Sequence, residues 1–264
     1  MRSGCTVGAM DSGIWAVTML RNEQDIVAQS IGHLVDQGIE RMIVADNCST
    51  DRTRHILEGL AATRPVQIVE DSDPAFRQSE KITRLVHMAG AEGARWIVPF
   101  DADEIWLTSD GRTLAQFLDA QTADIVEAEM FDFFPKPWEW LAPWRDPLRR
   151  INHRRAAEQG PNLRKVAFRY QPGVVVRTGN HGVEGLGRMA DERLVVRHYQ
   201  WRTFRQFRRK ARDGKQAIEA DPNARAIDCA HWREYGAMST PRLLRRWAGL
   251  CTRENPVRDP YYGR

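Results

Sequence analysis

The 264-residue sequence contains no apolar run near the roughly 20 residues needed to span a bilayer. Its opening stretch, Met1–Gly13, lacks the apolar core of a secretory signal. Both absences point to a soluble chain. Cysteine is sparse: Cys5, Cys48, Cys229 and Cys251 lie far apart without a C-x-x-C pair. That spacing excludes a zinc ribbon or a disulfide framework and fits a reducing, cytoplasmic setting. Basic clustering of the kind that marks nucleic-acid binding is also missing, because the basic residues are interleaved with 35 acidic ones. Nor is there an internal repeat or a disorder-prone composition, with 42% apolar and 28% charged residues. What remains is a net charge of +4 carried almost wholly by arginine, which suits an anionic ligand such as phosphate or carboxylate. The length suffices for one catalytic domain with its own core.

Patterned sequence begins at Ile14, so Met1–Gly13, rich in Gly and Ser, is read as an extension outside the fold. The run Ile14–Leu20 is β-prone, and apolar residues at Ile26, Val27, Ile31, Leu34 and Val35 then follow helical spacing. The scheme repeats. Strands are expected at Arg41–Ala45, Val66–Val69 and Trp96–Phe100, with helices over Arg52–Ala62 and Glu80–Ala91. Nearly continuous apolar strands alternating with helices predict an α/β fold, a mostly parallel sheet with helices on both faces. Ligands of such sheets bind beyond the carboxyl ends of the strands, where the polar loops of this sequence fall. Further on, the pattern predicts a helix near Thr113–Ala120 and strands at Ile125–Phe131, Lys165–Tyr170, Val174–Arg177 and Leu194–Tyr199. Pro135–Pro147 reads as a loop, Thr203–Ala220 as a basic helix, and 221–264 as a helical tail that packs on the domain or frays.

Two D-x-D spacings occur, and chance alone supplies about one in a chain this rich in aspartate. Asp71-Ser72-Asp73, followed by Pro74, reads as a solvated turn with a capping aspartate. Asp101-Ala102-Asp103-Glu104 places three carboxylates in four residues just after a buried strand. A hard divalent cation would relieve their repulsion and bridge diphosphate oxygens.

The ordered set Thr18–Glu23, Asp46–Asp51, Phe100–Glu104 and His198-Tyr199 with Arg202, Phe207 and Lys210 closely resembles glycosyltransferase family 2. The likeness lies with its branch bearing N-E, D-N-x-S-x-D, D-x-D-E and H-Y…K motifs, and it runs from about Ile14 to Lys210. It implies a GT-A fold over 14–220, with 14–104 as the nucleotide-binding half and 105–220 as the acceptor half. It also implies a nucleotide-sugar donor (UDP-, GDP- or dTDP-linked), Mn²⁺ or Mg²⁺, and inversion at the anomeric carbon. By position, Asn22 and Glu23 would line the nucleotide pocket, and Asp46 would accept hydrogen bonds from base or ribose, with Asp51 bracing its loop. Asp101 would meet the ribose or a metal-bound water, Asp103 would ligate the metal, and Glu104 would stand behind them. His198 is the candidate third ligand. Arg202, Arg205 and Lys210 follow it, Arg202 and Lys210 being preferred for the departing diphosphate, and Lys81 is a candidate for uracil or phosphate.

Inverting transfer needs a carboxylate to take the acceptor's proton. Glu129, Asp132, Glu139 and Glu184 are available, with Glu184 and Asp132 favoured because they flank glycine or aromatic segments. Aromatics over Phe131–Trp144 are candidates to stack on an acceptor sugar. The acceptor class, whether glycan, lipid-linked or small molecule, stays open. A nucleotidyltransferase is the closest alternative, but it would want a glycine-rich phosphate loop where Arg21-Asn22-Glu23-Gln24 stands. A non-catalytic nucleotide- or carbohydrate-binding protein is the other.

Overall fold

The computed structural model describes residues 13–141, 146–156, 163–224, 230–252 and 256–261. The chain begins with β1 (Ile14–Leu20), α1 (Val27–Asp36), β2 (Arg41–Asn47), α2 (Thr53–Ala61), β3 (Val66–Asp71), α3 (Gln78–Ala91) and β4 (Trp96–Pro99). There follow β5 (Glu104–Leu107), α4 (Leu114–Asp119), β6 (Ile125–Asp132), α5 (Pro147–Arg150), β7 (His153–Arg154) and β8 (Arg164–Arg169). Then come β9 (Val175–Val176), β10 (Val183–Glu184), β11 (Leu194–His198), α6 (Phe204–Glu219), α7 (Ala230–Ala237), α8 (Thr240–Cys251) and β12 (Val257–Arg258). No helix among the described residues is long and apolar enough to cross a membrane.

One eight-stranded sheet organises the chain, in the order β3-β2-β1-β4-β8-β6-β11-β5. Alternate residues of its strands feed two separate cores, as a period of two requires. Ala16, Val44 and Val98 pack with Val27, Ile31 and Leu34 of α1 on one face. Val17, Ile43 and Ile97 pack with Ile82, Leu85 and Val86 of α3 on the other. The expected mostly parallel sheet is present, and beyond β4 it takes in β8, which runs antiparallel to both β4 and β6. The edge strand β5, which the sequence pattern did not reveal, is antiparallel to β11. Because β6 and β11 are parallel to each other, and β8 inverts direction twice, β1–β4, β6 and β11 all point the same way. Their carboxyl ends therefore share one edge, and the residues following them can converge.

The described part of the tail packs against the domain. Helices α6, α7 and α8 share a third core of Trp201, Phe207, Trp232, Tyr235, Leu243 and Trp247. Beyond them, β12 pairs with β7 and carries Asp259 to Arg154 (3.0 Å) and Arg197 (2.6 Å). The segment expected as a Pro/Trp loop contains a short 3-10 turn at Pro137–Leu141. There Trp138 is 63% exposed and edge-on to His153; Trp144 and the side chain of Trp140 lie outside the described residues.

Candidate active site

The loop after β1 turns at Asn22, whose φ of 58° is the left-handed conformation that asparagine tolerates better than most residues. Its side-chain oxygen accepts hydrogen bonds from the Thr50 (2.8 Å) and Asp51 (3.2 Å) backbone N–H groups, and its amide donates to Asp213 of α6 (2.7 Å). Asn22 thus ties together the ends of β1 and β2 and the helical layer. Asp51 accepts from the backbone and hydroxyl of Thr53 and pairs with Arg209 (2.9 Å). Asp46 is buried and accepts from Ser49 N–H at 3.3 Å; its neighbour Asn47, not Asp46 itself, lines the cleft described below.

After β4 the chain closes a tight turn in which Glu104 N–H donates to the Asp101 carbonyl (3.0 Å) and Asp101 N–H donates to the Glu104 carboxylate (3.0 Å). Lys165, the second residue of β8, sits 2.7 Å from Asp101 Oδ2 and 2.7 Å from Glu104 Oε1 with its side chain 3% exposed. The other Asp101 oxygen accepts from Asn180 (3.2 Å) and Gln78 (3.4 Å). Burial pushes the Glu104 carboxyl up to about 7 despite the opposing Lys165 ammonium. Asp103 points to a different set of partners. Its Oδ2 meets Lys210 Nζ at 2.5 Å, Arg202 Nη1 at 3.7 Å and His198 Nε2 at 3.8 Å. Burial alone would raise the Asp103 carboxyl, but Lys210, His198 and Arg202 outweigh it and hold the group well below the carboxylate range.

His198 ends β11 and is oriented by Asp132 at the end of β6, which lies opposite it in register. The Nδ1–Oδ1 separation of 2.9 Å turns Nε2 toward Asp103, the carboxylate–imidazole arrangement that also orients metal-binding histidines. Burial lowers the imidazole pKa, yet the two flanking aspartates raise it overall. Asp132 in turn is 3.5 Å from Arg155. Burial raises its carboxyl, but the His198 hydrogen bond and charge, with Arg155, bring it below its ordinary value.

These groups open on a cleft of about 850 Å³ lined by Asn22, Glu23, Asp101, Asp103, Asp132, Arg155, Lys165, His198 and Lys210, and walled by Trp201, Trp232 and Tyr235 of the helical layer. Several sequence candidates, Asp46, Glu129 and Glu139 among them, stand outside this lining. Glu184 is 57% exposed and paired with Arg177, Lys81 is buried against Asp71 at 2.7 Å, and Arg205 is an exposed residue of α6. Arg202 is fully buried. Its guanidinium is taken up by Asp25 (2.8 Å), Glu23 and the Tyr199 carbonyl (2.9 Å), so it supports Asp103 and Glu23 from below. Lys165, Asn180 and Arg155 were not foreseen. A lysine inside the β-prone run of β8 was the one available signal, since a buried strand position rarely takes an unpaired charge.

Residues 15–181 match the family model described as Glycosyl transferase family 2. The chain belongs to this family. The match spans Asn22, the Asp46–Asp51 loop, Asp101–Glu104, Asp132 and Lys165, and the glycosyltransferase completes its cleft with His198 and Lys210 from beyond it. Comparison with curated protein sequences gives no match. Among solved structures the glycosyltransferase is similar to S. aureus TarS 1-349 in complex with UDP-GlcNAc, at 12% identity and a TM-score of 0.45 over 88% of this chain and 72% of that one. It is similar also to S. aureus TarS 1-349 in complex with UDP, at 14% identity and a TM-score of 0.43 over 88% and 71%. A mycobacterial protein gives 14% identity and a TM-score of 0.36 over 83% and 80%.

Among the described residues no three His, Cys, Asp or Glu side chains converge as a metal cage. Asp103 and His198 nevertheless face each other across 3.8 Å with the imidazole held by Asp132. A divalent ion there would find one carboxylate oxygen, now paired with Lys210 at 2.5 Å, and one imidazole nitrogen, and would take its remaining ligands from substrate phosphates and water.

Proposed function

We propose that this glycosyltransferase moves a sugar from a nucleotide-diphosphate donor to an acceptor hydroxyl, with inversion and with a divalent metal ion. The observation that carries the reading is the line Lys210–Asp103–His198–Asp132, which joins a cation, a buried carboxylate, an imidazole and a second carboxylate along one cleft. The loops of Asn22 and Asn47 at the ends of β1 and β2 hold the nucleoside end, and Asp103 and His198 would hold the metal ion. When bound, that ion neutralises diphosphate charge and polarises the bond to the sugar.

Asp132 is the base. It lies in the cleft one hydrogen bond beyond His198, is ionised at neutral pH, and replaces Glu184, which faces solvent. The acceptor oxygen attacks the anomeric carbon as Asp132 takes its proton, and the electron pair of the breaking carbon–oxygen bond leaves on the nucleoside diphosphate. Lys210, 24% exposed at the cleft wall, offsets the charge that builds on the leaving oxygen. Arg202 fixes Glu23 and Asp103 beneath it.

The test is a thermal-shift screen of UDP, GDP, dTDP and CDP with and without Mn²⁺, followed by turnover of the matching sugar donor. A ligand that binds the native state raises the melting temperature. The reading requires a metal-enhanced shift with one nucleotide and slow release of nucleoside diphosphate. A shift that survives Asp103→Ala, or release of pyrophosphate instead, would overturn it.

A further inference from the structure

The outer face of the helical layer has a composition that neither its core nor the cleft explains. Helix α8 carries three arginines and no acidic residue, and Arg242, Arg245 and Arg246 are exposed. Helix α6 runs antiparallel beside it, as Phe204 lies against Trp247 (5.9 Å) and Arg212 reaches Thr240 (3.4 Å). Arg205 and Arg212 of α6 are exposed and Arg208 is half-buried; at spacings of three, four and seven residues they share one side of the helix.

Neighbouring acids are already engaged: Asp213 by Asn22 and Glu219 by Lys215. Glu234 of α7 is the remaining exposed acid of these three helices. Among the described residues Arg205, Arg208, Arg212, Arg242 and Arg245 make no ion pair. Leu244 of the same helix α8 is 45% exposed. Meanwhile Trp232, Tyr235 and Trp247 are turned inward, so the face offers no aromatic platform for nucleic-acid bases. Arginines without ion pairs and an exposed leucine, on two antiparallel helices, match the interface of a bilayer with anionic headgroups.

We propose that the α6–α8 face docks this enzyme on an anionic membrane surface. Arg246 and Leu250 of α8 also line the cleft, so docking sets the cleft mouth beside the headgroups. Each arginine contributes a share of the attraction, which salt screens.

The experiment is co-sedimentation of the full chain with vesicles of phosphatidylcholine alone or mixed with phosphatidylglycerol, at low and high salt. The expected result is binding to the mixed vesicles only, lost at high salt. The variant Arg212→Glu, Arg242→Glu, Arg245→Glu should bind roughly a hundredfold more weakly, with an unchanged far-ultraviolet spectrum and melting temperature as the control for folding. Leu244→Ala should weaken binding severalfold without altering its salt dependence. Equal binding to neutral vesicles, no binding to mixed vesicles, or undiminished binding by the triple variant overturns the proposal. So does preferential capture of a single-stranded oligonucleotide that vesicles fail to compete away.

Discussion

The chain carries two D-x-D sequences at two strand ends, each with a buried lysine beside it, and the two regions do different things. After β3, Asp71 pairs with Lys81 from the very next helix, and Asn47 donates to the same carboxylate. Asp73 accepts the Ala75 N–H and pairs with Arg77. All but Asn47 come from within ten residues, and the cluster closes on itself. After β4, Asp101 and Asp103 draw Lys165, Asn180, His198, Arg202 and Lys210 from five later elements or connecting turns. That cluster opens on the cleft. Local partners satisfy a turn, whereas distant partners that converge on one short stretch are held there by the whole fold, at the desolvation cost of every charge involved.

The sharpest way to break this comparison is to remove one carboxylate from each region. Asp103→Ala should cut nucleoside-diphosphate release by at least roughly 10³-fold, whereas Asp73→Asn should leave it within about twofold, as a surface substitution does. Comparable losses at the two sites would show that the distinction is wrong. Asp132→Asn should lower kcat by roughly 10³-fold and, because Asp132 orients His198, weaken metal-dependent donor binding by roughly 10- to 100-fold, whereas Glu184→Gln should leave both parameters unchanged; steady-state kinetics with varied donor and acceptor separates the outcomes.

The lysines sharpen the contrast further. Lys165→Met leaves Asp101 and Glu104 without their shared counter-charge and should destabilise by about 3 kcal/mol. The sign with pH follows from Glu104, whose folded value lies near 7 against 4.5 in the unfolded chain. A carboxyl raised on folding contributes stability at low pH that is lost as pH rises through that window, and loss of the ammonium raises it further. The penalty in chemical denaturation should therefore be larger at pH 8 than at pH 5. Lys81→Met should also destabilise, yet leave kcat intact, because its partner lies outside the cleft.

Much of the nucleotide half was legible. Its strands are apolar runs with polar residues at their carboxyl ends, so Asn22, the Asp46–Asp51 loop and Asp101–Asp103 could be placed on one sheet edge from periodicity alone. The second half was harder for physical reasons. An apolar run does not record direction, so nothing in the β8 sequence announces its antiparallel insertion between β4 and β6. The strand β5 is four residues long and begins inside the acidic motif that drew the reading toward charge. Lys165 and Asn180 are 64 and 79 residues from Asp101, and no local spacing encodes such a meeting. Helix α7 buries only Trp232 and Tyr235, too few apolar positions for a helical period to emerge.

The edge strand β5 has a consequence for how the protein is made. It hydrogen-bonds to β11 alone, and Tyr199 N–H is what fixes the Asp103 carbonyl at 2.8 Å. A ribosome that has delivered residues 104–107 must add about ninety more before their partner exists, and so long a loop closes slowly and late. The nascent chain can assemble its first four strands while Asp103 still lacks its final orientation. The hydrogen bond that fixes the Asp103 carbonyl therefore forms only after synthesis has passed Tyr199.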